Sequence, residues 1–302
     1  MKLLGKDNLH RMSHQMLSYL GSLKRHTLVT ECGEWRYLEG GCREGAETIV
    51  LVHGLAGTKA QWRSLMHILA DRYHVVALDM PALHNGLPTH SGECHFPALA
   101  EELAAFIEGL GLKRFHLLGH SLAANVCAVY SGQRPDRVLS LALTSVVAID
   151  NERYSGELSR FAQFKQMMLF NTLEEFAALG QLMFYRPPKA PDFLMSYSMN
   201  QVIRFRQAHV RLLSEADKSA HHVRDSLTRI TCPCITINGA QDVFVSPETQ
   251  AILEAHLQSL TVVRLEECAH MPYLEKPREL ATSYQRFLSQ VSPARTAERL
   301  VG

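Results

Sequence analysis

The sequence lacks the features that mark several large classes of protein. No stretch approaches about 18 consecutive apolar residues, so we expect no membrane-spanning helix. Lys6, Asp7 and His10 interrupt the first apolar residues, and we therefore expect no secretory signal peptide. The formal net charge is only +1, which provides no electrostatic basis for binding nucleic acid.

Cysteine is also scarce, with seven residues in 302, an odd number that includes no zinc-type pair of C-x-x-C motifs. Cys232 and Cys234 flank a proline in an apolar stretch and are interpreted as core thiols rather than a redox pair. The sequence carries no nucleotide-binding glycine loop and no cluster of histidine and cysteine that is typical of metal sites. We therefore expect no cofactor, no metal and a reducing compartment, the cytoplasm.

The N-terminal residues 1–24 are predicted to form an amphipathic helix, because apolar residues recur there at spacings of three and four. Residues 1–28 contain five lysines and arginines but one aspartate. This pattern is typical of a helix that rests on a membrane surface, here the inner face of the membrane, as a peripheral contact. Packing of the same face on the protein's own domain, or at a dimer contact, is the alternative, and the oligomeric state stays open.

A hairpin is predicted next, from His26–Thr30 and Glu34–Leu38. Short apolar runs then alternate with helical patterns, which is typical of an α/β fold with a doubly wound, mostly parallel sheet. The predicted core comprises residues 25–150 and 226–291. Its predicted parallel strands are 49–52, 75–78, 115–118, 138–143, 235–237 and 261–265.

The alternation stops near Ala148, and residues 151–225 are predicted to form a helical cap inserted into the core. This insert contains seven of the twelve phenylalanines and five of the eleven methionines. Such side chains suit a deformable apolar ligand, so Phe161, Phe164 and Met168 are candidate substrate-binding residues. The alternative is that they form only the cap's own small core. Residues 292–302 are predicted to be a loose tail.

The sequence Gly119-His120-Ser121-Leu122-Ala123 lies where a predicted buried strand meets a predicted helix. A serine at such a junction sits on a sharp turn, with its hydroxyl at the carboxyl end of the sheet. Small flanking residues let the strand and the helix approach each other closely. A helix N-cap is the alternative role for this serine, but the strand–turn–helix context favours Ser121 as a nucleophile.

A serine nucleophile needs a base near neutral pH, and the base needs a partner that fixes its tautomer. His270 follows the last predicted strand and Asp242 follows the strand before it, so both are expected at the same sheet edge as Ser121. We predict His270 as the base and Asp242 as its acid, in the chain order serine, aspartate, histidine. Asp150, after the fourth predicted parallel strand, is the alternative acid.

The run His53-Gly54-Leu55-Ala56-Gly57 follows the first predicted parallel strand. Acyl transfer needs backbone N–H groups directed at the oxyanion that develops on the substrate. The N–H groups of Leu55 and of Leu122, which comes directly after the serine, are the predicted oxyanion hole. His53 is interpreted as a structural hydrogen-bonding residue of this loop.

Together these motifs resemble the α/β-hydrolase superfamily over about residues 26–291, and within it bacterial esterases and lipases and monoacylglycerol-lipase-like enzymes. Ala123 and Ala269 stand where the family more often has glycine, which removes no catalytic atom. The resemblance implies a serine hydrolase that cleaves carboxylic esters with an apolar acyl chain, through an acyl-enzyme on Ser121. An acyltransferase, a carbon–carbon bond hydrolase and a non-catalytic ligand-binding protein of the same fold remain alternatives.

Overall fold

The computed structural model describes residues 23–87, 89–147, 149 and 160–292, with the backbone alone for residues 160–162. Eight strands form one sheet in these residues. The strands are β1 Lys24–Thr30, β2 Gly33–Gly40, β3 Thr48–Val52, β4 His74–Asp79, β5 Phe115–His120, β6 Val138–Thr144, β7 Cys234–Gly239 and β8 Leu260–Leu265.

Helices connect the strands, and two short 3-10 helices lie at Lys59–Trp62 and Pro135–Arg137. The α-helices before the cap are α1 Arg63–Leu69, α2 Pro81–Asn85, α3 Phe96–Gly109 and α4 Leu122–Gln133. Those that follow are α5 Arg160–Met167, α6 Leu173–Met183, α7 Asp192–Arg204, α8 Arg206–Lys218, α9 Ala220–Leu227, α10 Pro247–His256, α11 Pro272–Glu275 and α12 Pro277–Val291.

The strand order across the sheet is β1-β2-β4-β3-β5-β6-β7-β8. β1 and β2 run antiparallel to their neighbours, and all pairs from β4 to β8 are parallel. The predicted doubly wound, mostly parallel sheet is therefore confirmed. Because parallel strands end at one edge, the residues that follow β3, β5, β6, β7 and β8 are brought to the same side of the molecule.

The central strands β3, β4 and β5 are buried at every position because both faces of the sheet are covered. In β3, Val50 and Val52 belong to the apolar cluster that includes α3 and α4. Ile49 and Leu51, which alternate with them, belong to the cluster that includes α1 and α12. Side chains alternate between the faces of a strand, so a strand between two helical layers reads as a continuous hydrophobic run.

The predicted N-terminal helix, residues 1–24, falls almost wholly outside the described residues. Lys24 is the first residue of β1 and pairs with β2 in the hairpin, so it is not part of a helix. Membrane contact through this segment and a cytoplasmic location therefore stay predictions, as does the loose tail, whose residues 293–302 are also outside the described part. Within the described ranges no helix is both long enough and apolar enough to cross a bilayer.

The helices predicted between the two halves of the core are present from α5 onwards. The predicted division between cap and core after residue 225 falls inside α9, and the division stays a prediction. Gly132 in α4 faces Ser226 so closely that a Cβ there would lie 2.5 Å from the Ser226 carbonyl oxygen. This close approach packs α9 against the core helix α4, and we refer to α5 to α8 as the cap.

Gly119, the last residue but one of β5, makes the junction between strand and helix possible. A Cβ at this position would lie 2.8 Å from both the Ala123 carbonyl oxygen and the Ala124 Cα in α4. Both atoms belong to the backbone of α4, so a side chain at Gly119 would require α4 to move. The absence of a side chain at Gly119 therefore allows the sharp turn that the motif predicts.

We expect Gly119→Ala to destabilise the protein by about 1–3 kcal/mol, because the added methyl group displaces α4. Urea denaturation measures this change in the free energy of unfolding. Gly180→Ala is the matched control: Gly180 lies within α6 with open space around its Cβ position. Replacing a helical glycine by alanine there is expected to stabilise by up to about 1 kcal/mol. Equal effects of the two substitutions would contradict the close packing at Gly119.

Candidate active site

Ser121 lies between the last residue of β5 and the first residue of α4. Its backbone has φ 53° and ψ −125°, which is a strained conformation for any residue with a side chain. The N–H of Ser121 donates to the Thr144 carbonyl at the end of β6, at 2.8 Å. On its other side, Gly54 approaches so closely that a Cβ there would lie 3.0 Å from the Ser121 Cβ. The serine is thus held on a rigid turn at the carboxyl edge of the sheet.

His270 lies on the loop between β8 and α11, and its Nε2 is 3.1 Å from the Ser121 hydroxyl oxygen. The backbone holds this histidine from the cap side, because its N–H donates to the carbonyl of Met183 at the end of α6, at 3.0 Å. The N–H of the preceding Ala269 donates to the Glu275 carboxylate at 2.9 Å. The rings of Phe244 and His120 pack against the imidazole, with centroid distances of 5.1 and 5.0 Å. His270 is therefore fixed by backbone and by packing.

Asp242 follows β7 and faces the other nitrogen of His270. Its carboxylate oxygens lie 3.0 and 3.1 Å from His270 Nδ1, and one of them also accepts the Phe244 N–H at 3.0 Å. Burial by itself raises the pKa of this carboxyl group, but His270 and the Phe244 N–H favour the charged form and hold the pKa below its usual range. Asp242 is thus a carboxylate across neutral pH, and Nδ1 of His270 carries the proton between them.

The structure thus brings Ser121, His270 and Asp242 together in one hydrogen-bonded series, as the sequence predicted. The alternative acid, Asp150, lies outside the described residues. The described candidate for the acid is therefore Asp242, which is buried and whose carboxylate contacts His270.

The two predicted oxyanion donors belong to the residue that follows the serine and to the turn whose Gly54 packs against it. Leu122 begins α4, so its N–H has no intrahelical acceptor. Leu55 lies on the turn after β3, where the neighbouring N–H groups of Ala56 and Gly57 are bonded to the carbonyls of Leu83 and Gly54. These two bonds hold the turn that carries Leu55, and Gly54 of the same turn packs against Ser121.

His53 stabilises the same turn, as the sequence predicted. Its Nδ1 donates to the Gly54 carbonyl at 2.8 Å, and its Nε2 accepts the N–H of Met80 at 3.1 Å. Complete burial lowers the pKa of His53 to about 4. The neutral imidazole therefore links the turn after β3 to the turn after β4, and only the neutral form has a free lone pair for the Met80 N–H.

His120, within the serine motif, is a second buried neutral imidazole. Burial is the main cause that lowers its pKa well below the usual value, and His270 and His53 add to this effect. Its Nδ1 is 3.1 Å from the Thr144 hydroxyl, and its ring packs edge-on against Tyr273. His120 therefore supports the face of His270 and links it to β6.

The cap contributes apolar side chains next to these residues. Phe164 in α5 is 8% exposed and its ring packs edge-on against Phe244, which in turn contacts His270. Met168, which follows α5, is also buried and belongs to the same apolar cluster as Leu122. Phe161 lies in α5, but its side chain is outside the described part. Two of the three predicted substrate-binding residues are thus in the apolar layer that reaches the serine.

Sequence reasoning missed several residues that position this site. The Met183 carbonyl, the Thr144 carbonyl and the Phe244 ring act through a backbone atom or through packing, which no sequence motif marks. Asn238, at the end of β7, accepts the N–H of Ser145 and fixes the turn after β6. An amide side chain at the carboxyl end of a buried strand is the one signal that could have identified Asn238.

The described residues contain no group of three or more histidine, cysteine or acidic side chains arranged to hold a metal ion. All seven cysteines are free thiols, including Cys232 and Cys234.

Comparison with known proteins gives matches over most of the chain. The sequence model of the α/β-hydrolase fold matches residues 47–277, more than half of the chain. Monoacylglycerol lipase ABHD6 of Rattus norvegicus is 27% identical over 256 residues, which cover 81% of this chain and 76% of that protein.

Solved structures of similar proteins extend over nearly the whole chain. A putative lipase from Acinetobacter baumannii is 25% identical with a TM-score of 0.78, and the match covers 97% of this chain and 99% of that one. A membrane phospholipase A, described as a bacterial virulence factor, is 26% identical with a TM-score of 0.77, covering 95% and 93% of the two chains.

The buried neutral His53 predicts a loss of stability in acid. The unfolded chain binds a proton at this residue near pH 6.5, whereas the folded protein does so only near pH 4. Between these values the unfolded state binds more protons, so stability falls as the pH is lowered through that window, by roughly 3 kcal/mol for this residue. We expect His53→Asn to make urea-unfolding stability depend less on pH between 6.5 and 4. The exposed His90→Asn is the control, and an equal pH dependence in His53→Asn and wild type would contradict the assignment.

Proposed function

The chain belongs to the α/β-hydrolase fold family, and from that premise we propose that it is a serine hydrolase that cleaves carboxylic esters through an acyl-enzyme on Ser121. The observation that carries the proposal is the hydrogen-bonded series from the Ser121 hydroxyl through His270 to Asp242, at 3.1 and 3.0 Å. The lipases among its relatives support ester hydrolysis as the reaction.

In the proposed first step, the Ser121 hydroxyl oxygen attacks the carbonyl carbon of the ester. His270 Nε2 is the acceptor for the hydroxyl proton, because Nδ1 already donates its proton to Asp242. The carboxylate then stabilises the imidazolium that forms. Since the pKa of Asp242 is held low, the carboxylate does not itself take the proton.

The tetrahedral intermediate places a negative charge on the former carbonyl oxygen. The N–H groups of Leu55 and Leu122 are the proposed donors to this oxyanion, and both are fixed before the substrate arrives. Imidazolium His270 returns its proton to the alcohol oxygen as the ester C–O bond breaks. The acyl group remains on Ser121, and a water molecule, deprotonated by His270, then releases the carboxylic acid by the same steps in reverse order.

The proposed substrate class is an ester with a medium or long apolar acyl chain. Phe164 and Met168 extend the apolar surface from Phe244, beside His270, into the cap. An acyl chain on Ser121 that follows these side chains gains free energy with each buried methylene, of the order of 0.8 kcal/mol.

Ser121→Ala tests the nucleophile. We expect kcat for p-nitrophenyl ester hydrolysis to fall by roughly 10⁴–10⁶ with an unchanged fold, because no other group in the series can form the acyl-enzyme. Ser131→Ala is a matched control: this serine lies in the same helix α4 and bonds only to the Cys127 carbonyl. If Ser121→Ala keeps wild-type activity in a clean preparation, the proposed function is wrong.

Asp242→Asn tests the acid. The amide leaves the size of the side chain unchanged but favours the wrong tautomer of His270, so we expect kcat to fall by roughly 10³–10⁴. Asp150→Asn is the comparison, because it is the alternative acid from the sequence. A severe loss in Asp150→Asn together with a mild loss in Asp242→Asn would reverse the assignment.

A series of p-nitrophenyl esters from two to sixteen carbons tests the acyl pocket. We expect kcat/KM to rise roughly three- to fourfold per methylene up to about eight carbons. Phe164→Ala is expected to lower kcat/KM more for the eight-carbon than for the two-carbon ester, whereas Phe193→Ala, on an exposed side chain of the same cap, leaves both unchanged. A maximum at the acetate ester would replace this proposal with a small closed pocket.

A further inference from the structure

The turn after β3, which carries the proposed oxyanion donor Leu55, has a backbone conformation that is unfavourable in isolation. We call residues 54–57 the oxyanion turn. Ala56 within it has φ 55°, in the left-handed region that a residue with a side chain rarely adopts. The Gly57 N–H donates to the Gly54 carbonyl at 3.1 Å and closes the turn. A disfavoured conformation of this kind persists only where the surroundings impose it, so contacts from outside the turn are needed.

The short helix α2 supplies two such contacts. The Leu83 carbonyl accepts the N–H of Ala56 at 2.7 Å. His84 Nδ1 lies 2.8 Å from the carbonyl oxygen of Gly57. Because a carbonyl oxygen can only accept, Nδ1 carries a hydrogen and donates it to Gly57. The two residues that follow Leu55 are therefore each hydrogen-bonded to α2, one through its N–H and the other through its carbonyl.

α2 is itself fixed on two sides. At its start, the Met80 N–H donates to His53 Nε2 at 3.1 Å, and the Met80 carbonyl accepts the N–H of His84 at 2.8 Å. At its end, Gly86 approaches the cap helix α8 so closely that a Cβ there would lie 2.2 Å from the Ala208 Cβ. α2 is thus clamped between the core and the cap, and it gives the oxyanion turn a fixed support.

The His84 side chain is not part of the closed core. It is half-buried, and it lines a cavity of about 760 Å³ together with residues of β1, β2 and α1. Its ring stands edge-on to the ring of His53, with a centroid distance of 6.1 Å. A smaller side chain at this position enlarges an existing cavity with polar walls instead of opening a dry void in the core. The bond to Gly57 can therefore be removed while the protein stays folded.

We propose that His84 is a positioning residue of the oxyanion hole. Through Nδ1 it holds the Gly57 carbonyl, and so it keeps the Leu55 N–H in place before charge develops on the substrate oxygen. This role rests on the proposed ester hydrolysis with Leu55 as a donor, and His84 acts through the turn without touching a reacting atom. Because a preorganised donor stabilises the oxyanion more than the neutral ester, loss of the His84 bond weakens binding of the transition state above all.

Three substitutions separate the Nδ1 bond from the size of the side chain. Asparagine carries an amide N–H near the position of Nδ1, glutamine carries one near Nε2, and alanine carries neither. For p-nitrophenyl butyrate we expect kcat/KM to fall roughly 10- to 100-fold in His84→Ala and His84→Gln, less than for loss of a donor itself, and to stay close to wild type in His84→Asn. His256→Ala is the matched control: this half-buried histidine bonds through Nδ1 to the Ile252 carbonyl, also at 2.8 Å, at the end of α10.

A trifluoromethyl alkyl ketone measures the oxyanion hole directly. The Ser121 oxygen bonds to its carbonyl carbon, the hydroxyl proton passes to His270, and the ketone oxygen becomes an oxyanion. We expect the inhibition constant to rise in His84→Ala by about the factor by which kcat/KM falls, since both report on the bound oxyanion. Titration with a fluorophosphonate counts the intact active sites. A variant that is only partly unfolded has fewer active sites but an unchanged inhibition constant.

Amide hydrogen exchange tests the support of the turn without catalysis. We expect the Ala56 N–H to exchange faster in His84→Ala than in wild type, and at the wild-type rate in His256→Ala.

Three results would overturn the role of His84. They are wild-type kcat/KM in His84→Ala, a loss that fewer active sites fully explain, and a loss in His84→Asn as large as in His84→Ala. If wild type hydrolyses no ester, the proposed function fails instead, and the exchange of the Ala56 N–H still decides whether His84 holds the turn.

Discussion

The hydrogen bond from the Ser121 N–H to the Thr144 carbonyl holds the serine backbone at φ 53° where β5 passes into α4. A serine in this conformation costs of the order of 1–3 kcal/mol, so it persists only where the surroundings leave no alternative. The surroundings of Ser121 are the Thr144 carbonyl at the end of β6, Gly54, and α4, which packs against Gly119. The direction of the hydroxyl toward His270 and the position of the Leu122 N–H both follow from this one turn.

His270 faces the turn that carries Ser121, with its Nε2 at the serine hydroxyl. Its ring is held by Asp242, Phe244 and His120, and its backbone by the cap through Met183. Each of the parallel strands β5, β7 and β8 thus places one member of the series on its following loop, because parallel strands end at the same edge. The cap is connected to the reacting groups by a backbone hydrogen bond, so its position and the position of His270 are linked.

The helices of the cap use their apolar residues in two directions. Phe164 and Met168 are buried and continue the apolar layer from the imidazole, whereas Phe193 and Tyr197 are exposed on the outside. A phenylalanine-rich insert therefore does not correspond to one function. The buried residues are the ones placed to contact an acyl chain on Ser121.

Much of the protein could be derived from local sequence pattern. The continuous apolar runs identified the parallel strands, since strands covered on both faces have no polar alternation. The junction of strand, Gly119, Ser121 and helix marked the turn. Asp242 and His270 follow successive strands, and because these strands are parallel, their following loops meet at the same edge of the sheet. These inferences succeeded since each depends on periodicity or on position after a strand.

Tertiary structure decided the features that depend on contacts between distant residues. The packing of α9 on Gly132 is one such feature, because helical periodicity is the same for a cap helix and a core helix. The sequence likewise did not show which phenylalanines face the imidazole and which face solvent, because the apolar pattern of a helix does not identify the neighbour that buries it. The carbonyls of Met183 and Thr144 hold the site through backbone atoms that every residue type shares, so only the folded chain could select them.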